Sequence, residues 1–316
     1  MTSVRDDEGA GSVTPRLIDT HAHIISMDRR KYPPAPLNGV VKDEMFLDTF
    51  DLDQLLRGMD ETGVSHACAV QRAFAYGYDN SYVLDAARLH PDRLTPVVVL
   101  PADAPESAQT LRDLAESNRL GGLRLSSPSF AALDTAWFNA PAAIETWRAA
   151  ADLGLPVAII FPAAQLSFVL PAVRMIAGMF PSLPILLDHL AVPHRANLAV
   201  QTDRSRGIPD PYLGPPDYAI SSELKAMRPH RNVFFKLTTI NVDRLRTDGV
   251  DVAAFTRRFV DEFGADRLVW GSDSAQTEGP YARLTDGCRE AISLLSDTER
   301  YDLCRGTAAR LYGFPT

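Results

Sequence analysis

Cysteine is scarce in this sequence: Cys68, Cys288 and Cys304 are the only three in 316 residues. An odd number with no CxxC pair fits neither a disulfide framework nor a cysteine zinc site, and a reducing cytoplasm is the expected home. Long apolar runs are lacking too. No stretch approaches the roughly eighteen residues that cross a bilayer, so no membrane partner is expected. Residues 1–15 are polar and contain glycine, without the apolar run of a signal segment, and read as a disordered lead-in. Positive charge is also in deficit: 32 Lys and Arg stand against 40 Asp and Glu, a net charge of −8, with no long basic run. A phosphate backbone needs clustered cations, so nucleic acid is excluded as a partner. The chain shows no repeat of solenoid length and no low-complexity stretch. Composition leaves open whether it forms a homo-oligomer.

What is present is apolar material for a large core, 46% of residues against 23% charged, in a rhythm that suits an α/β fold. Short β-rich runs alternate with segments of helical periodicity eight times. The runs start near Leu17-Ile18, then at Ala67–Val70, Thr95–Leu100, Gly122–Leu125, Val157–Phe161, Ile185–Leu187, Val233–Leu237 and Leu268–Trp270. Uninterrupted runs such as PVVVL and VAIIF suit parallel strands buried on both faces. Between them, Leu52, Leu55, Leu56 and Met59 recur at helical spacing up to the Thr62-Gly63 breaker, and Leu111 and Leu114 repeat the pattern before Gly121-Gly122. Such stripes are core. The expected architecture is a (β/α)8 TIM barrel formed by residues 16–316 as one domain. Two long connections follow strands, near 28–50 and 191–222, and are expected to act as lids on the catalytic face.

Three strand ends carry ionisable residues. The first reads DTHAH at Asp19–His23, and side-chain alternation turns His21 and His23 to one side. The sixth ends in Asp188-His189 and the eighth in Ser272-Asp273. At the C-terminal mouth of a barrel, neutral imidazoles can bind a divalent metal or hold a substrate oxygen. An aspartate there can take the proton of a water attacking a carbonyl. Arg124 at the fourth strand and Arg72 after the second offer guanidinium forks for a carboxylate. Lys236, inside the seventh strand, must find a partner when buried. Gln165, Tyr32 and Tyr78 are further candidate walls of a substrate pocket. His66, His90 and His230 fall at a strand start, a helix end and a loop before a strand, and read as structural.

The ordered set DTHAH (Asp19–His23), YDNSY (Tyr78–Tyr82), HPDR (His90–Arg93), GLRL (Gly122–Leu125), LDHL (Leu187–Leu190) with Pro193, FFKL (Phe234–Leu237) and WGSD (Trp270–Asp273) spans nearly the whole chain. It resembles the amidohydrolase superfamily, in its amidohydrolase-2 branch, which includes sugar-lactone and 2-pyrone-4,6-dicarboxylate lactonases. The resemblance implies a (β/α)8 barrel with His21, His23, His189 and Asp273 at the catalytic positions and Asp273 as general base. It implies hydrolysis of a lactone, or a related cyclic ester or amide, in a small carboxylated or hydroxylated substrate. One divalent ion, Zn2+ or Mn2+, would take His21, His23, His189 and Asp273, with His194 as a weaker fifth candidate; without it, the histidines would bond the scissile carbonyl directly.

Two departures stand out. Metal-dependent members often carry a histidine at the end of the fifth strand, where this chain has Ile159–Gln165 (IIFPAAQ). The stretch Pro162–Leu166 is similar to that of the lactonases. After Asp273, the Trp-Pro common in lactonase-like members is replaced by Ser274-Ala275-Gln276. A metal-dependent decarboxylase or hydratase of an aromatic or unsaturated acid is the alternative, and a binding barrel without chemistry a third.

Overall fold

A computed structural model of the chain describes residues 16–37, 39–46, 50–127, 135–162, 165–191 and 220–315. Eight strands follow in chain order around one parallel sheet: β1 (Ile18–Ala22), β2 (His66–Val70), β3 (Leu94–Val99), β4 (Gly122–Ser126), β5 (Val157–Ile160), β6 (Ile185–Leu187), β7 (Val233–Thr238) and β8 (Leu268–Gly271). These coincide, within a residue or two, with the eight runs read from the sequence. Register runs from Ile18 opposite His66 to Thr238 opposite Gly271. Three bonds close the seam between β8 and β1. Thr20 Oγ1 donates to the Trp270 carbonyl (2.7 Å), the Ser272 N–H to Asp19 Oδ1 (2.9 Å) and the Asp273 N–H to the His21 carbonyl (2.8 Å). The fold is a (β/α)8 barrel.

The principal helices among the described residues are α1 (Leu52–Thr62), α2 (Ser81–Leu89), α3 (Ser107–Ser117), α4 (Pro141–Asp152), α5 (Leu166–Met179), α6 (Thr239–Thr247), α7 (Val252–Phe263), α8 (Tyr281–Ala291), α9 (Asp297–Tyr301) and α10 (Thr307–Tyr312). Local chemistry sets their ends. At α1, Asp51 accepts the Gln54 N–H while the Gln54 side chain accepts the Asp51 N–H, both at 2.9 Å, and Gly63 stops the helix at φ 76°. Leu55 and Met59 are then buried against the sheet, as their spacing requires. Inside the barrel, Ile18, Cys68, Val97, Ala158, Leu186, Phe234 and Val269 form a lower layer, and Ala308, Ala309 and Tyr312 of α10 plug it from below. The base is therefore sealed, and the upper tiers are left to polar residues.

After β1, Ala35 and Leu37 lie against the turn that follows β2: their N–H groups donate to the Ala75 and Ala73 carbonyls. The second proposed lid falls mostly on residues 192–219, outside the described residues, as do His194 and the lead-in 1–15.

At α9, Ser296 and Glu299 form a capping box, and Glu299 also binds Arg257 at 2.7 Å. The Arg257 guanidinium, followed by the Ser296 hydrogen bonds, holds the Glu299 carboxyl down at about 2 against an ordinary 4.5. A depressed carboxylate contributes stability above its unfolded value and loses it as pH falls through the folded one. Glu299→Gln is therefore expected to lower Tm at neutral pH. The gap to the parent should close as pH falls from 4.5 to about 2, which a calorimetric pH series would read.

Candidate active site

Strand parity decides which residues enter the barrel. Leu186 points inward in β6, so Asp188 does too; Phe234 in β7 carries Lys236 and Thr238 with it; Val269 in β8 carries Gly271 and Asp273. In β1 the parity slips. Asp19 pairs with Ala67 but Ala22 pairs with Ala69, so three steps of β1 oppose two of β2, and this bulge turns His21 and His23 inward on a strand whose inward residue lower down is Ile18. Gly271 makes the approach possible: a Cβ there would lie 2.4 Å from His21 Cβ.

Below the mouth lies a buried charge cluster. Asp188 Oδ2 accepts from Arg124 Nε at 2.7 Å, and its Oδ1 sits 3.4 Å from Lys236 Nζ and 3.6 Å from His21 Nδ1. Lys236 Nζ is also 3.3 Å from His21 Nδ1. Burial pushes the Asp188 carboxyl up, but Lys236 and Arg124 outweigh it and hold the group below its ordinary value. The candidates Arg124 and Lys236 are thus joined by Asp188, which the sequence reading passed over although it stands next to His189.

Above the cluster, His21 Nε2 and His23 Nε2 each lie 3.6 Å from Asp273 Oδ1. The bonding partners fix two tautomers. His23 Nδ1 is 2.8 Å from the Val70 carbonyl, which only accepts, so Nδ1 carries the hydrogen and Nε2 offers a lone pair. Thr238 gives its hydroxyl hydrogen to Asn241 Oδ1 (3.0 Å), which also accepts the Thr238 N–H, so the hydroxyl accepts from His189 Nδ1 (2.7 Å). His189 Nε2 is then bare as well. Burial first, then Lys236 and Arg124 for His21 and Arg72 and Arg124 for His23, hold both imidazoles well below their ordinary value. Burial, with Arg124 adding to it, takes His189 to about 3. All three rings are neutral near pH 7. Burial lifts the Asp273 carboxyl to about 7 against the pull of Arg72 and Arg124, so it can exchange a proton with water.

His21, His23 and Asp273 offer ligand atoms within 4.8 Å of one another. Their fit to a divalent ion can be judged on the donors themselves. His21 Nε2 is buried with no hydrogen-bond partner among the described residues, and the 3.6 Å gaps to Asp273 are too long for hydrogen bonds. Ligands about 2.1 Å from a tetrahedral zinc stand roughly 3.4 Å apart, so the set fits. His189 stands outside this group, with its ring centroid 5.4 Å from that of His21. Backbone strain gathers here: His189, Leu190, Ala191, Asp273 and Ala275 have φ between 50° and 60° without being glycine.

The remaining candidates are spread over the top face. Arg72 is buried and donates to Gln276 of the turn after β8. Gln165 is fully buried at the head of α5. Tyr32 packs with Ile25, Phe46 and Tyr76, and its hydroxyl donates to Asp85 (2.8 Å). Tyr78 is 38% exposed. The structure does not bring either tyrosine to the histidine cluster. His66 opens β2, His90 caps α2 and His230 precedes β7. Thr238 and Asn241 had no signal of their own in the sequence, because their roles depend on contact with His189 across the barrel, and Gln276 stood out only as part of the Ser274–Gln276 departure.

The profile of the Amidohydrolase family (Amidohydro_2) matches residues 18–314, and the chain belongs to that family. An L-fucono-1,5-lactonase from Burkholderia ambifaria is 28% identical over 259 residues, 81% of this chain and 79% of that protein. Among solved structures, a probable 2-pyrone-4,6-dicarboxylic acid hydrolase from Acinetobacter baumannii superposes with a TM-score of 0.70 at 19% identity, over 95% of this chain and 100% of that one. An amidohydrolase from Burkholderia multivorans with bound zinc gives a TM-score of 0.64 at 22% identity, over 95% and 100% of the two chains. Among the described residues, no helix is long and apolar enough to cross a membrane.

Proposed function

We propose that the chain is a lactone hydrolase acting on a small carboxylated or hydroxylated substrate, with residues 16–316 working as one catalytic unit. The observation that carries this reading is the convergence of neutral His21 and His23 on a buried carboxyl, Asp273, whose proton affinity lies near neutrality. The family membership and the fuconolactonase relative support it. Asp273 takes a proton from the water that attacks the lactone carbonyl. The ring C–O bond then breaks, and Asp273 returns the proton to the departing ring oxygen, leaving a hydroxyl and a carboxylic acid, which releases its own proton to solvent and becomes a carboxylate. His189, whose Nδ1–H is held by Thr238, accepts a hydrogen bond at Nε2 from the water or a substrate hydroxyl and so orients it. His21, His23 and Asp273 would hold a zinc or manganese ion, which when bound supplies Lewis acidity to a carbonyl oxygen. The three cysteines are free and buried, which supports a reducing cytoplasm as the location.

Acid release in a pH-stat, across sugar lactones, pyrone carboxylates and muconolactones, tests the reaction. Ring opening of at least one class is expected, and no acid release from any would overturn the reading. Plasma mass spectrometry of the purified protein should find about one zinc or manganese per chain, as a three-ligand catalytic site would hold. Chelation should abolish turnover. A metal-free protein with full activity would remove the ion from the proposal and leave Asp273 as the base.

A further inference from the structure

The two arginines at the mouth have different partners. Arg124 is paired with Asp188 at 2.7 Å, a carboxylate it shares with Lys236. Arg72 is only 6% exposed, yet among the described residues no carboxylate comes within ion-pair distance of it. Its terminal NH2 donates to Oε1 of Gln276, which is neutral, and its Nε has no acceptor among the described residues. Burial lowers the guanidinium to about 10, so it remains a cation at neutral pH. A buried cation with an idle donor is unfavourable until an acceptor of opposite charge arrives.

Its position ties that deficit to the reaction. The Val70 carbonyl that orients His23 lies two residues before Arg72, and Gln276 lies three residues after Asp273 and donates its N–H to the Asp273 carbonyl (3.2 Å). Arg72 therefore bridges the end of β2 and the turn carrying Asp273. Gln276 belongs to the segment Ser274-Ala275-Gln276 that directly follows Asp273. A glutamate there would satisfy the guanidinium and cancel its charge; glutamine fixes its position and leaves the charge available.

We propose that Arg72, anchored by the neutral Gln276, is the specificity element that selects a lactone carrying a free carboxylate on its ring over an uncharged lactone of the same size. The inference rests on the lactonase reading and names its substrate class.

Two measurements test it. The first compares kcat/KM for the γ-lactone of 2-hydroxyglutarate with that for γ-butyrolactone. The parent should prefer the carboxylated ring, and Gln276→Glu should cut that preference about tenfold or more, as expected when a charge-assisted pair is pre-empted. The second is independent of turnover: titration calorimetry with glutarate, which the parent should bind and which Gln276→Glu and Arg72→Met should bind about tenfold more weakly. Gln276 is on the exposed rim, so its variant should fold even if Arg72→Met does not. Hydrolysis of both lactones with no preference, or glutarate binding absent in the parent or equal in all three proteins, would overturn the proposal while leaving a lactonase. Glutarate binding that depends on Arg72 and Gln276, with neither lactone opened, would support the anion site while the reaction proposed for it fails.

Discussion

Asp273→Asn is expected to lower kcat by a factor on the order of a hundred or more, the usual cost of losing a positioned acid–base group. The substitution separates chemistry from structure unusually well. Asparagine has the same shape, and it tolerates the left-handed conformation, φ 55°, that this position adopts. The backbone bonds that seat the residue survive: the Asp273 N–H to the His21 carbonyl at 2.8 Å, and the Thr277 N–H to the Asp273 carbonyl at 2.9 Å. What disappears is a carboxylate that can take and return a proton. Melting temperature should therefore stay close to the parent while turnover collapses. Near-parental kcat in the folded variant would sink the assignment of Asp273 as the base.

The barrel was legible because a parallel strand buried on both faces must be apolar throughout, and runs such as Val97–Val99 and Ile185–Leu187 have few other readings. Strand ends were legible for the same reason: an ionisable residue directly after such a run stands out, as His189 and Asp273 do. The pair His21 and His23 was readable from alternation, even though β1 carries a bulge that no local pattern announces. The register shift falls between Asp19 and Ala22, and His21 and His23 still end on one side, both facing Asp273. Asp188 shows the limit. It is adjacent to His189, and only the inward orientation of Leu186 reveals that Asp188 points down into the barrel toward Arg124 and Lys236. Tyr32 shows another: its hydroxyl partner, Asp85, is 53 residues away, and a tyrosine in a long loop after β1 looks the same whether it faces substrate or packs beneath the loop.

The charge cluster under the site gives the largest expected change in stability. Among the described residues, Asp188 is the only carboxylate within ion-pair distance of Arg124 and Lys236, and both cations are at least nine-tenths buried. Asp188→Ala removes the counter-charge and leaves two buried cations facing each other across a cavity. A buried pair broken from one side typically costs about 3–5 kcal/mol, and urea denaturation should register a loss of that size. The sign of the compensating change follows from the same physics. Adding Lys236→Met removes one of the two uncompensated charges, so Asp188→Ala/Lys236→Met should be more stable than Asp188→Ala alone. If the single variant loses less than about 1 kcal/mol, the size of an exposed pair, the cluster is hydrated rather than sealed. A double variant no more stable than Asp188→Ala would mean that Lys236 is held by other groups. The expected result ties the two tiers together: with Lys236 and Asp188 both 3.6 Å or less from His21 Nδ1, the ring that faces Asp273 is held from below by this charge balance.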